Sequence, residues 1–202
     1  MVLCFMIHTV CPLGALSPGD GRVLYCRMFG PDEGVLTGET RELSPEEKRL
    51  LRREKSAVVA RLVQSAALLA RQASGRPPAD SAPGPGEESL ALQEAEGGVV
   101  RLRAGEPFSR ELSALWLSVH SLGFTLLCEP HENPLLAQGT LRTLTRLCLD
   151  HLHLLGPGSE VLLRSNRIDA LLSRLLPHGQ LLFLNHRFAQ SLEKEAAAYM
   201  SK

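Results

Sequence analysis

The chain has 202 residues, 44% of them apolar, and 22 Lys+Arg against 22 Asp+Glu give a formal net charge of zero. That length suits one domain with a substantial core. The balanced charge and a sequence pI near 7.1 argue against nucleic acid as a main partner and against a purely electrostatic grip on an anionic membrane. An aromatic share of only 4% disfavours an aromatic-lined small-molecule pocket and suits leucine-rich helices packed on a small sheet.

The opening run MVLCFMIHTV is apolar, lacks a basic n-region, and is too short to span a bilayer, so it reads as a strand over Val2–Val10. No other run is long and apolar enough for a membrane helix, and a cytoplasmic chain is expected. Arg22–Phe29 reads as a second strand after the Pro/Gly-rich stretch CPLGALSPGDG. Ser44-Pro45-Glu46-Glu47 has the form of a capping box with proline at the first helical position. Leu51, Val58, Leu62, Ala66, Leu69 and Ala73 follow at helical spacing. The predicted helix is on the order of 45 Å long, with Arg52, Arg53, Arg61 and Arg71 largely off that stripe as a solvated face.

Between about 74 and 98 the composition turns to Pro, Gly, Ser and Glu, which predicts a flexible insertion within a single 1–202 domain. Val99–Ala104 reads as a third strand, and ELSALWLSVHS and LGFTLLCE as an antiparallel fourth and fifth. The fourth would present Leu112, Ala114, Trp116 and Ser118 on one face and Leu115, Leu117 and Val119 on the other. Asn133 is placed to cap a helix to Leu155, with Pro134 at its first position and Ala137, Leu141, Leu144, Cys148, Leu152 and Leu155 inward. Glu160–Arg164 reads as extended. Asn166 then caps a helix whose buried face is Ile168, Leu171, Leu172, Leu175 and Leu176, ending before Pro177-His178-Gly179. A last helix begins near Asn185, with Phe188 and Leu192 inward. The order is β-β-α-β-β-β-α-α plus a C-terminal helix, an α+β domain. With all helices on one side, the other sheet face and two edges would await a partner.

Catalytic patterns are missing from this sequence. His131-Glu132 begins like H-E-x-x-H, but Leu135 stands at the second histidine position. His151 and His153 lie roughly 200° apart around a helix and cannot converge on one metal. There is no G-x-S-x-G elbow, and Gly19-Asp20-Gly21 and Gly97-Gly98 match neither phosphate-binding pattern. His8, His120 and Cys128 all fall in or beside strands, and buried, satisfied histidines explain them better than a Cys/His pair. The five cysteines include no C-x-x-C and read as buried free thiols of a reducing compartment. No cofactor, metal or catalytic residue is expected.

The first strand, the early hairpin, the helix from Ser44, SLGFTLLCEPHENPLLAQGTLRTLTRLCLDHL and RIDALLSRLLPHGQ together resemble the longin-like small (sigma) subunits of adaptor complexes. Gly179 matches the glycine that closes the family's second long helix. QASGRPP, HENPLLAQGTLR, PHGQLLFLN and SLEKE are similar to the sigma family of the fifth heterotetrameric adaptor-protein complex. The resemblance covers nearly the whole chain and implies a five-stranded antiparallel sheet flanked by helices. It further implies a non-catalytic chain that stabilises a large helical-solenoid subunit in a vesicle coat sorting membrane cargo, peripheral on late endosomes or lysosomes and independent of clathrin. The exposed sheet face and the C-terminal segment, with Leu181, Leu182, Phe183, Phe188 and Leu192, are expected to meet the partner. Clathrin-linked sigma chains help bind acidic dileucine signals. Here Leu122 and Thr145 fall at two lining positions, and a threonine in place of an aliphatic residue keeps that activity from being carried over. The alternative is a longin-type regulatory domain of a SNARE or small-GTPase complex. A SNARE chain would continue into a heptad helix and an anchor, neither of which precedes Lys202.

Overall fold

A computed structural model describes residues 1–10, 22–29, 44–75, 88–105, 108–152 and 159–183, with single positions between 187 and 198. Strands β1 (Val2–Thr9), β2 (Val23–Met28), β3 (Glu96–Leu102), β4 (Leu112–Val119) and β5 (Leu122–Cys128) form one sheet in the order β2-β1-β5-β4-β3. Every pairing is antiparallel. Helices α1 (Pro45–Ser74), α2 (Glu88–Gln93), α3 (Pro134–Leu152), α4 (Ser159–Leu163) and α5 (Ser165–Leu175) complete the domain. This is the five-stranded antiparallel arrangement flanked by helices expected from the sequence, with the ends of β1, β2, β4 and β5 within a residue or two of those expected.

The three central strands are buried on both faces, because helices cover both. Val59, Val63 and Ala67 of α1 pack with Cys4, Met6, Leu112, Ala114 and Trp116. On the opposite face, Leu141, Leu144 and Cys148 of α3 and Leu171 and Leu172 of α5 pack with Phe5, Ile7, Leu115, Leu117, Phe124 and Leu126. The two faces of β4 divide as the sequence pattern predicted. The expectation that all helices share one side is corrected: no bare sheet face remains among the described residues.

Local signals placed the helix starts well. Ser44 accepts from the Glu47 N–H and the Glu47 carboxylate accepts from the Ser44 N–H, closing the capping box. Asn133 Oδ1 accepts from the N–H groups of Leu135 and Leu136 at 3.0 and 3.1 Å. Replacing Asn133 by alanine is expected to cost about 1 kcal/mol in urea unfolding, since two helix N–H groups lose their acceptor.

Three local expectations fail. The segment read as insertion holds α2, whose Ala91 and Leu92 pack on the α3 side, and β3 begins at Glu96 instead of Val99. Residues 76–87 of it lie outside the described residues. Glu160–Arg164 is not extended. Ser159–Leu163 is a helical turn with Val161 buried, as needed to follow α3 back over the core. Asn166 is not a cap: α5 starts at Ser165 behind Arg164, which makes no side-chain cap bond. Asp169, three residues after Asn166, accepts from Tyr25 Oη at 2.6 Å and Arg27 Nη1 at 3.3 Å, tying edge strand β2 to α5. The stretches 11–21 and 153–158, and most of the C-terminal helix expected from Asn185, lie outside the described residues.

Candidate partner interface

The expected interface begins where α5 ends. Leu176 is buried, and Pro177–Gly179 form one short turn in which His178 (φ 51°) and Gly179 (φ 77°) are left-handed. The Gly179 N–H donates to Leu176 O at 3.1 Å and the Gln180 N–H to Pro177 O at 3.0 Å. The turn lies so close to β1 and the end of β2 that a Cβ on Gly179 would meet the Val2 carbonyl and stand 2.6 Å from Phe29 Cβ. Leaving it, Leu181 is half-buried against the α3-side core, Leu182 is half-buried, and Phe183 is 89% exposed. Phe188 and Leu192 lie outside the described residues.

A second apolar surface was missed by sequence reasoning. The stripe expected to bury α1 is not the one that does so. The buried residues are Lys55, Ser56, Val59, Ala60, Val63, Gln64 and Ala67, while Leu62 and Leu69 are 42% and 66% exposed. The helix carries two apolar lines about 80–100° apart. The sheet takes the line of Val59, Ala60, Val63 and Ala67, and Leu62 and Leu69 are left outward. The signal was present: an apolar arc wider than one sheet contact needs.

Between the β3 edge and the start of α3 runs a cleft of about 360 Å³ bordered by Val99, Arg101, Ser113, Glu129 and Glu132. It adjoins a smaller cavity of about 80 Å³ beside Trp116, Leu135 and Arg142. At the floor of this end, the Met1 ammonium pairs with Glu129 Oε2 at 2.9 Å and with Glu132, and Arg110 pairs with Glu129 Oε1 at 2.9 Å. The hydrogen bond from the ammonium is the largest influence holding the Glu129 carboxyl below its usual range. Glu129, His131 and Glu132 bring their ligand atoms within 4.8 Å of one another, but these carboxylates already face two cations. His131 and Glu132, the half-motif of the sequence, serve that ion cluster.

The structure does not bring His8, His120 and Cys128 together. His8 pairs with Gly123 near one end of β5, His120 sits in the β4–β5 turn (φ 52°), and Cys128 closes the far end of β5. His8 is wholly buried and satisfied: Nδ1 lies 3.3 Å from Thr9 O and Nε2 lies 2.9 Å from Thr125 Oγ1. A carbonyl can only accept, so Nδ1 carries the proton and Nε2 accepts from the threonine hydroxyl. Burial holds the imidazole pKa down to about 4. An unfolded histidine protonates near pH 6.5, so this contribution is intact above that pH and is lost as pH falls towards 4. The expected loss between pH 7.5 and 4.5 is about 2.5 kcal/mol, read from urea midpoints; His8→Asn should flatten that part of the profile. Leu122 and Thr145 are both buried, and the threonine hydroxyl donates to Leu141 O at 2.9 Å.

The sheet is thus sealed on both faces, with apolar side chains left outward on α1 and after α5. The family model described as AP-5 complex subunit sigma-1 matches residues 1–197. AP-5 complex subunit sigma-1 of Homo sapiens is 50% identical over 198 residues, 98% of each chain. That of Mus musculus is 43% identical over 158 residues, 78% of this chain and 92% of the mouse protein. The chain belongs to the AP-5 complex subunit sigma-1 family. Among solved structures, a chain of one described as a homology model of the full-length AP-3 complex in a stretched open conformation aligns at a TM-score of 0.48 and 12% identity, covering 100% of this chain and 96% of that one. No helix among the described residues is long and apolar enough to cross a membrane.

Proposed function

We propose that the chain is the non-catalytic small subunit of a heterotetrameric vesicle-coat adaptor that sorts membrane proteins at late endosomes or lysosomes. The family match over residues 1–197 carries this reading. The physical mechanism is burial of a pre-formed apolar surface against a large helical-solenoid subunit, which in turn holds the chain peripherally on the membrane. Leu62 and Leu69 of α1 and Phe183 after α5 are the side chains such a partner would cover. Leu181 and Leu182 adjoin Phe183 in the chain on the α5 side, and Phe188 and Leu192 are proposed to continue that patch.

The test is co-expression with the large solenoid subunit of the same complex. Expressed alone, the chain should give a low yield of soluble protein with the remainder aggregated; with the partner it should elute as a stoichiometric soluble complex. Phe183→Ser is expected to weaken that complex by roughly 30-fold, the effect of one well-packed aromatic anchor. A soluble, stable monomer that never co-elutes with such a subunit would sink the proposal. Loss of the chain from lysosomal membranes on depletion of the large subunit tests the location separately.

A further inference from the structure

We propose that Cys4 and Cys26 form a redox-active dithiol which hydrogen peroxide converts to a reversible disulfide stapling β2 to β1. In the β1–β2 register Cys4 lies opposite Met28 and Met6 opposite Cys26, so the two cysteines are diagonal neighbours on the sheet face that meets α1. Their sulfurs are 3.4 Å apart. Cys4 is buried, whereas Cys26 reaches solvent. The described cysteines are free thiols as expected, but Cys26 is exposed where burial was expected.

The two sulfurs have different environments. The Cys4 S–H hydrogen bond and then the positive charge of Arg52 favour the Cys26 thiolate against the effect of burial. Cys4 is pushed the other way, first by that same hydrogen bond and then by its burial. The crevice beside Cys4, walled by Met28, Arg52, Val59 and Phe108, measures only about 10 Å³, so an oxidant reaches the pair through Cys26. Cys26 is therefore the nucleophile and Cys4 the resolving thiol.

In the first step the Cys26 thiolate attacks one peroxide oxygen. The O–O bond breaks, Cys26 becomes a sulfenic acid, and the departing hydroxide takes a proton to form water. In the second, Cys4 sulfur attacks Cys26 sulfur, the S–O bond breaks, and the Cys4 proton leaves with the hydroxide as a second water. Two thiols and one peroxide give one disulfide and two waters. Diagonal strand neighbours stand wider apart than an unstrained disulfide prefers, so β2 must move slightly inward. β2 is an edge strand whose only strand neighbour is β1, and its ties to α5 run through the Tyr25 and Arg27 side chains, so its backbone has the freedom to do so. The resulting strain makes the bond easy to reduce, as a reversible site requires.

Tryptic mapping of the full chain in its native assembly tests this. Cys4 shares the peptide Met1–Arg22 with Cys11, and Cys26 lies in Val23–Arg27, so the chain carries Cys11→Ser. Peroxide should link the two peptides with loss of about 2 Da, and dithiothreitol should release them. Cys4→Ser should leave one or more oxygens on Val23–Arg27 with no link. Before oxidation, Cys26 should alkylate at least about tenfold faster than buried Cys128 and Cys148, whose thiols burial raises to about 12. Oxidation of Cys26 with Cys4 remaining a free thiol overturns the proposal. So does reaction of Cys128 or Cys148 ahead of Cys26.

Discussion

Gly179→Ala is expected to destabilise the fold by about 3 kcal/mol, composed of a left-handed backbone penalty and an overpacking penalty. The backbone at φ 77° is one that a side chain resists, and the new methyl would be driven against the Val2 carbonyl and Phe29. Gly75→Ala supplies the control. That glycine caps α1 at φ 66° with nothing within 4 Å of an added Cβ, so it isolates the backbone cost at about 1 kcal/mol. Urea midpoints of the two variants should separate accordingly, and equal losses would show that the collision at β1 is absorbed. The same substitution re-aims Leu181–Phe183, so partner recovery should fall with it. The glycine at 179 thus has a steric reason: it lets the turn after α5 lie close against Val2 and Phe29.

Phe5→Ala is the second large effect, an expected loss of about 4 kcal/mol. The ring is completely buried in the core beneath α3 and α5, 6.3 Å from the Tyr25 ring and level with Leu126 on β5. Collapse around the void is hindered because Phe5 lies on an interior strand paired on both sides. Phe183→Ala, by contrast, should change stability by no more than about 0.5 kcal/mol, because its ring touches water. Its cost should be seen in complex formation. Circular dichroism melts of the two variants, set beside co-elution with the large subunit, separate core from interface; an unstable Phe183→Ala chain would contradict the division.

Nearest-neighbour chemistry was readable without coordinates. The capping box at Ser44, the Asn133-Pro134 start of α3, the alternating faces of β4, the buried stripe of α3 as far as Leu152 and that of α5 all depend on spacing within one element, and each is found as expected. The central strands carried a further message. VLCFMI and LGFTLLC are apolar on both sides, which requires cover on both faces and rules out helices confined to one. Of the five expected interface residues, Phe183 stands open, Leu181 and Leu182 are half-buried, and the remaining two lie outside the described residues.

What the sequence determined alone was the order of the five strands and the three longer helices, the capped starts of α1 and α3, the missing catalytic patterns and the family resemblance, because these are written in local pattern. What the tertiary structure decided was which of two apolar lines on α1 meets the sheet. It also brought Cys26 beside Cys4 and Asp169 beside Tyr25, and placed Glu129 and Glu132 at the Met1 ammonium. Each of these depends on distant segments meeting, and helical periodicity cannot distinguish two apolar lines until the sheet packs against one of them.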